Sequence, residues 1–278
     1  MFADDTMIYL CGNNVDELYD KINSDLRNIY EWLCNNDLSI NVNKSKYMII
    51  GSKYKLSKIN ITRDVIVKNE ALQRVTEIKY LGVIIDEELS FSNHARYVIN
   101  KMAKKTNFLY RIGKSLSFYA RRTLYQMLIA PHLDFCSTIL FNIDQTRMRT
   151  LQKIQNRAMR CVLGCNKYTP INLMIEVLNI MTVKQRIVYR TIQFVYKMKM
   201  NMLPVYLTER INYVSSVHGY QTRNVENFYV DSFNRSSMLR SLFYGGLLLF
   251  DKLPNEVKFC NNFNTFRRLS AKVVVEWY

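Results

Sequence analysis

Histidine is scarce in this chain: the three present, at positions 94, 132 and 218, lie far apart. That leaves little material for a histidine-based catalytic centre or a His-rich metal cluster, because such sites need several imidazoles at one point. Long apolar runs are missing too. No stretch approaches the roughly 18 consecutive apolar residues that a membrane-spanning helix requires. An N-terminus carrying Asp4 and Asp5 is not a secretory signal. An intracellular setting, nucleus or cytoplasm, with no membrane partner, is therefore expected. The six cysteines, at 11, 34, 136, 161, 165 and 260, are scattered, and the closest pair, Cys161 and Cys165 in CVLGC, has neither zinc spacing nor a nearby histidine. All six read as reduced core thiols. No Gly/Ser linker, repeat or low-complexity tract divides the chain, so domain borders are soft.

Acidic residues are missing from two long stretches, and this absence points somewhere. Leu89 to Leu133 contains no Asp or Glu but carries Arg96, Lys101, Lys104, Lys105, Arg111, Lys114, Arg121 and Arg122. Gln145 to Ile175 is likewise acid-free and carries Arg147, Arg149, Lys153, Arg157, Arg160 and Lys167. The net charge of +16 is correspondingly uneven: residues 1–50 hold 4 Lys/Arg and 8 Asp/Glu, net −4, which leaves 35 and 15, net +20, for residues 51–278. Such basic fields attract polyanions: nucleic-acid phosphates, acidic membranes and acidic proteins all fit the charge, as does a plain solvated face.

With 49% apolar residues the chain has material for a core, and periodicity sketches an α+β fold. A strand is expected over Met7–Cys11. A helix follows, with Asn14 as cap, Glu17 at the capping-box position and Val15, Leu18, Ile22, Leu26, Ile29 and Leu33 on one face. LSINVNKSKYMIIGS then reads as a strand ending at Gly51, and KINIT, VIV and EIKYLGVIID as an antiparallel meander. Beyond Asp86 the signal is helical. Val98, Ile99, Met102, Thr106, Leu109 and Tyr110 share a face; Leu124, Tyr125 and Leu128 precede the helix-stopping Pro131; Met148, Leu151, Gln155, Ala158 and Val162 lead to Gly164. Thr169 and Pro170 open another helix, and residues 183–200 carry a basic, aromatic outer face. Elements after Asn201 are not placed.

Two adjacent carboxylates at a tight turn suit hard divalent cations, because two-metal nucleotidyl transfer needs oxygen ligands that hold both ions about 4 Å apart. On its own the doublet also fits a solvated turn. The order FADDT, a helix ending in EWL, LSINVNKSKYMII, IKYLGVIID and FSNHARYVINK, however, resembles the palm and thumb of reverse transcriptases of non-LTR (LINE-type) retrotransposons. The resemblance implies a partial palm over 1–88, a basic helical thumb over 89–200 and a retrotransposon C-terminal segment over 201–278.

It also implies roles. Asp4 and Asp5 stand at the metal-binding positions, for Mg²⁺ or Mn²⁺. Asn41 and Lys44 match a later palm motif whose lysine helps protonate pyrophosphate. Tyr80, Leu81, Gly82 and Val83 match the primer grip. The partners it implies are an RNA template and a DNA primer, held by Arg96, Lys101, Lys104, Lys105, Arg111, Lys114, Arg121, Arg122, Arg157 and Arg160 through phosphate contacts. In the family another Asp on an earlier strand completes the metal site, and the fingers lie earlier still; neither fits ahead of Met1. The reading is thus a truncated RNA-directed DNA polymerase, inactive alone, with Phe2 to Cys11 loosely packed. A non-enzymatic nucleic-acid-binding protein is the alternative.

Overall fold

The computed structural model describes residues 5–59, 63–217, 227–230 and 241–277, an α+β chain in which helices predominate. It divides into two compact units, Met1–Ser90 and Phe91–Tyr278.

In the first unit Asp5 makes an isolated bridge, but the expected strand over Met7–Cys11 does not form among the described residues. A strand needs an edge to pair with, and here Met7, Ile8 and Tyr9 lie exposed instead of covering a core. Helix α1 spans Val15–Asn35; the Asn14 side chain accepts from Asp16 N–H and donates to Glu17 Oε1 at 3.0 Å, so Glu17 pairs with the cap's side chain. Its buried residues are Tyr19 and Leu26, seven apart and so on one stripe, and they pack with Val65, Val67 and Leu72. Asn23 fastens this helix to the next segment, donating to Asp64 O and accepting from Ile66 N–H at 2.9 Å.

The β region is more broken than the sequence suggests. Of LSINVNKSKYMIIGS only Lys46–Tyr47 (β1) is a ladder strand. The short helix α2, Lys53–Leu56, ends just before KINIT, of which Lys58 and Ile59 are not in a strand and residues 60–62 lie outside the described residues. Ile66–Val67 (β2) and Glu70–Ala71 (β3) form one antiparallel hairpin, and Glu77–Tyr80 (β5) and Val83–Asp86 (β6) another. Between them Gln73–Arg74 (β4) pairs with β1 in parallel, which a meander of adjacent strands does not provide.

The β5–β6 turn has Leu81 at φ 44° and Gly82 at φ 85°, with Tyr80 opposite Val83. Positive φ at both central residues is the type I′ geometry that suits the twist of a hairpin, and it favours Asn-Gly over Leu-Gly. A Cβ in the left-handed region costs about 1 kcal/mol. Leu81 is exposed, so little packing is lost on replacing it. Leu81→Asn is expected to stabilise this hairpin by about 0.5–1 kcal/mol. Hydrogen exchange should show the Tyr80 and Val83 amides protected roughly two- to fivefold better; unchanged protection would contradict the strain argument.

The second unit opens with α3, Ser92–Gly113, whose buried His94, Ala95, Val98, Met102, Thr106 and Leu109 recur at helical spacing. Ser117 caps α4, Phe118–Leu128, which stops ahead of Pro131 in the first turn of α5, Ala130–Asp134. A single turn, α6, spans Ser137–Leu140. Asp144 caps α7, Gln145–Leu163, and Gly164 closes it at φ 68°. For α8, Ile171–Leu178, Pro170 takes the cap position, and the Thr169 hydroxyl donates to Asn166 Oδ1.

Helix α9, Val183–Lys199, carries a full capping box between Thr182 and Gln185. Its basic and aromatic residues Arg186, Tyr189, Arg190, Phe194 and Lys197 line one side but are only partly exposed, and Lys184 alone is exposed. Val183 and Ile187 join a core with Met102, Leu133, Leu151, Met159 and Met174, while Ile192, Val195 and Tyr196 join a second core with Phe228, Phe250 and Phe266. The helix is enclosed because each flank meets a different apolar cluster.

The residues left unplaced by sequence form α10 (Val205–Thr208), β7 (Asn212–Tyr213), α11 (Val214–Val217), β8 (Phe228–Tyr229, antiparallel to β7), a π-helical turn over Leu242–Gly246, α12 (Leu247–Asp251), α13 (Asn255–Lys258) and α14 (Phe263–Trp277). Asn262 Oδ1 accepts from the Asn264 and Thr265 amides at the start of α14. The cysteines are free, but Cys11 and Cys34 are exposed and so are not core thiols: Cys11 lies in the unladdered segment and Cys34 off the apolar stripe of α1. Among the described residues no helix is long and apolar enough to cross a membrane.

Candidate nucleic-acid interface

Helices α3, α4 and α7 pack against one another, and every charged side chain along all three is Lys or Arg. The two acid-free stretches, separate in sequence, are thus neighbours in space. On α3, Arg96, Lys101, Lys104, Lys105 and Arg111 are exposed, and Lys114 is exposed just beyond the helix. The Lys101 ammonium sits 5.4 Å from the centre of the Tyr97 ring. His132 on α5 registers the local field: burial, then the charges of Lys101 and Lys105, push its pKa below the ordinary histidine value.

On α7, Arg157 is exposed and lies 5.0 Å over the Tyr110 ring of α3, while the Tyr110 hydroxyl donates to the Arg157 carbonyl at 3.1 Å. Arg121 of α4 lies against the end of α7: a Cβ built on Gly164 would meet its Nη1 at 3.3 Å. Arg160, one turn before Gly164, is partly buried. Arg122 is turned elsewhere, with Nη2 3.5 Å from the Leu178 carbonyl at the end of α8. There a cation complements both an orphan carbonyl and the helix dipole. The fold therefore gathers most of the predicted basic residues on the α3–α4–α7 layer and commits Arg122 to a neighbouring helix end. The meetings of Tyr110 with Arg157 and of Arg121 with Gly164 were missed in sequence, because the partners are more than forty residues apart and leave no local signal.

The acidic doublet gives less. Asp4 lies outside the described residues, and Asp5 is exposed. Among the described residues no group of three or more His, Cys, Asp or Glu side chains is placed to hold a metal ion. One exposed carboxylate is too small a donor set for two cations, so the described residues do not by themselves fit the implied metal site. Lys44 is exposed in a turn before β1, its amide donating to Asn41 O and Oδ1, both at 3.2 Å. The turn at Leu81 and Gly82 presents its backbone at the tip of the β5–β6 hairpin, flanked by Tyr80 and the buried Val83.

No family model matches the chain, and no solved structure matches it. It is 25% identical over 167 residues, 59% of its length, to the probable RNA-directed DNA polymerase from transposon X-element of Drosophila melanogaster, covering 18% of that protein. It is 24% identical over 173 residues to the RNA-directed DNA polymerase from mobile element jockey of Drosophila funebris, covering 60% of this chain and 18% of that one. Against a Retrovirus-related Pol polyprotein from type-1 retrotransposable element R1 of Nasonia vitripennis the figures are 24% over 168 residues, 58% of this chain and 49% of the relative. The matches thus span between about a fifth and a half of these relatives' lengths. Over about 60% of its length the chain is thus similar, at about 25% identity, to RNA-directed DNA polymerases and Pol polyproteins of transposons and retrotransposable elements, the kind of protein that FADDT, YLGV and the segments around them resemble.

Proposed function

We propose that this chain supplies the duplex-holding part of an RNA-directed DNA polymerase of a non-LTR retrotransposon, its α3–α4–α7 layer following the phosphates of an RNA template paired with a DNA primer. The observation that carries the reading is the packing together of three helices whose only charged side chains are basic. Lys and Arg on such a surface attract phosphates whatever the base sequence, and shape with charge is how an A-form-like duplex is held. The matched relatives, RNA-directed DNA polymerases by name, support the same reading.

In this reading Asp4 and Asp5 are part of a Mg²⁺ or Mn²⁺ site completed by carboxylates outside these 278 residues, Lys44 serves the leaving pyrophosphate, and the Tyr80–Val83 turn touches the primer end. These 278 residues alone then hold duplex without extending it. Two measurements test the proposal. Binding of an RNA–DNA duplex should weaken steeply with salt, log affinity falling by about 0.9 per phosphate contact for each tenfold rise in salt. Primer extension with Mg²⁺ or Mn²⁺ should give no product. A salt-independent or undetectable affinity would sink the proposal. Product that disappears in Asp4→Ala would show instead that the chain carries a complete catalytic site.

A further inference from the structure

The basic layer is not uniform. On α3 the ammonium and guanidinium groups stand in water, where their charge is screened, but Arg121 and Arg160 are different. Each has a buried Nε with no hydrogen-bond partner, and neither takes part in an ion pair among the described residues. Arg121 lies against the end of α7, its Nη1 3.3 Å from where a Cβ on Gly164 would be and its Cδ 3.6 Å from where one on Gly113 would be. The amides of Gly164 and Cys165 both donate to the carbonyl of Arg160, which fixes that turn. Arg157 completes the group: it and Arg160 both act electrostatically on Tyr110, and it and Arg121 both act on Cys161. By geometry, Arg157 lies over the Tyr110 ring, Arg121 and the Cys161 thiol both lie against Gly113 one turn further along α3, and Arg160 sits on α7 between Arg157 and Gly164; no carboxylate occurs on the three helices that bear them.

A half-buried guanidinium without an anionic partner is a poor structural element, since its desolvation is unrepaid and only the carbonyl end of α7 offsets its charge. The same arrangement is suited to holding an anion from outside, because packing restrains the two side chains and no hydrogen bond or ion pair among the described residues takes up their Nη groups.

We infer that Arg121, Arg157 and Arg160 form a discrete clamp for one or two adjacent phosphodiester groups, at the junction of the ends of α3 and α7 with the start of α4. The clamp rests on the nucleic-acid reading above and gives it a fixed anchor. Gly164 is favoured there by its φ of 68°, which closes α7, and a Cβ on it would push the Arg121 guanidinium away by a few tenths of an ångström.

The test replaces Arg121 and Arg160 together by Met, which keeps the apolar stems and removes both charges. The full chain is compared with wild type for Tm and for affinity to an RNA–DNA duplex across a salt series. The double variant is expected to match or exceed the wild-type Tm, to bind duplex at least about tenfold more weakly near 0.1 M salt, and to show a salt slope shallower by about 1.5–2 units. A Tm lowered by several degrees, or an unchanged slope, overturns the clamp. If Lys104→Gln with Lys105→Gln still flattens the slope in that case, the wider proposal survives it. Conversely, a wild-type chain that ignores duplex but is stabilised by inorganic tripolyphosphate, with the gain lost in the double Met variant, upholds the clamp and sinks the wider proposal.

Discussion

Phe266→Ala is expected to lower the stability of the helical unit by about 3–5 kcal/mol, the range for emptying a fully buried aromatic site. Phe266 is fully buried on α14; its ring lies 4.0 Å from that of Tyr196 at an interplanar angle of 20°, and 6.0 Å from that of Phe250. These three rings join α14, α9 and α12, and Tyr196 also donates its hydroxyl to the Cys260 carbonyl at 2.8 Å. The loss therefore combines the transfer free energy of the ring, its stacking contacts and a cavity that three helices cannot easily close. In a unit of this size a drop of that magnitude corresponds to a Tm shift of roughly 8–15 °C. Val275→Ala on the same helix provides the comparison, because Val275 is half exposed and should change stability by no more than about 0.5 kcal/mol. Circular dichroism melts of the two variants check the pair. Equal losses would mean that α14 is not the core element described.

How much of this was legible in the sequence depended on how local the deciding interaction is. The helix around Leu26, the cap at Asn14, the stop before Pro131 and the closure at Gly164 are set by residues within a turn or two, and each reads directly from the chain. The fate of Met7–Cys11 depends on whether an edge is present to pair with, which alternation of apolar residues cannot tell. The parallel pairing of Lys46 with Gln73 is likewise a long-range fact. For helix α9 the basic, aromatic side was legible, but not that two apolar clusters leave it only partly exposed or that Arg186 and Arg190 reach a carboxylate on α5. For α14 a signal was present, in Asn262 as cap and Phe263, Phe266, Ser270 and Val274 at helical spacing, and it was obscured by the aromatic, Asn-rich segment before it. At the candidate interface, composition showed the basic residues and their lack of acids, but only the fold brings Arg121 onto Gly164 and Arg157 onto Tyr110.

The second large effect is electrostatic. Asp134→Asn is expected to lower stability at neutral pH by about 2–3 kcal/mol, somewhat less than the loss on breaking a fully buried ion pair because water reaches part of the group. Asp134 Oδ1 accepts from Arg186 Nε at 2.6 Å and Oδ2 from Arg186 Nη2 at 2.7 Å, while Arg190 approaches Oδ2 at 3.1 Å. Burial pushes the Asp134 carboxyl up, but the hydrogen bonds and charges of the two arginines outweigh it and hold the group below the usual carboxylate range. A depressed folded-state pKa contributes stability that is present above the unfolded value, near 4, and is lost as pH falls through the folded value. The gap between Asp134→Asn and wild type should therefore be full at pH 7 and close on acidification below about pH 4. Asp251 behaves oppositely. Burial raises its pKa to about 6 despite the Phe228 N–H at 3.1 Å and the charges of Lys258 and Lys199. Its contribution is fully present below the unfolded value near 4 and is lost as pH rises through about 6, so Asp251→Asn should remove a decline in stability between those limits. Urea midpoints of wild type and both variants, measured from pH 3 to 8, separate the two groups. If the Asp134→Asn deficit persisted undiminished at pH 3, the fork from Arg186 would not be the source of its stabilisation.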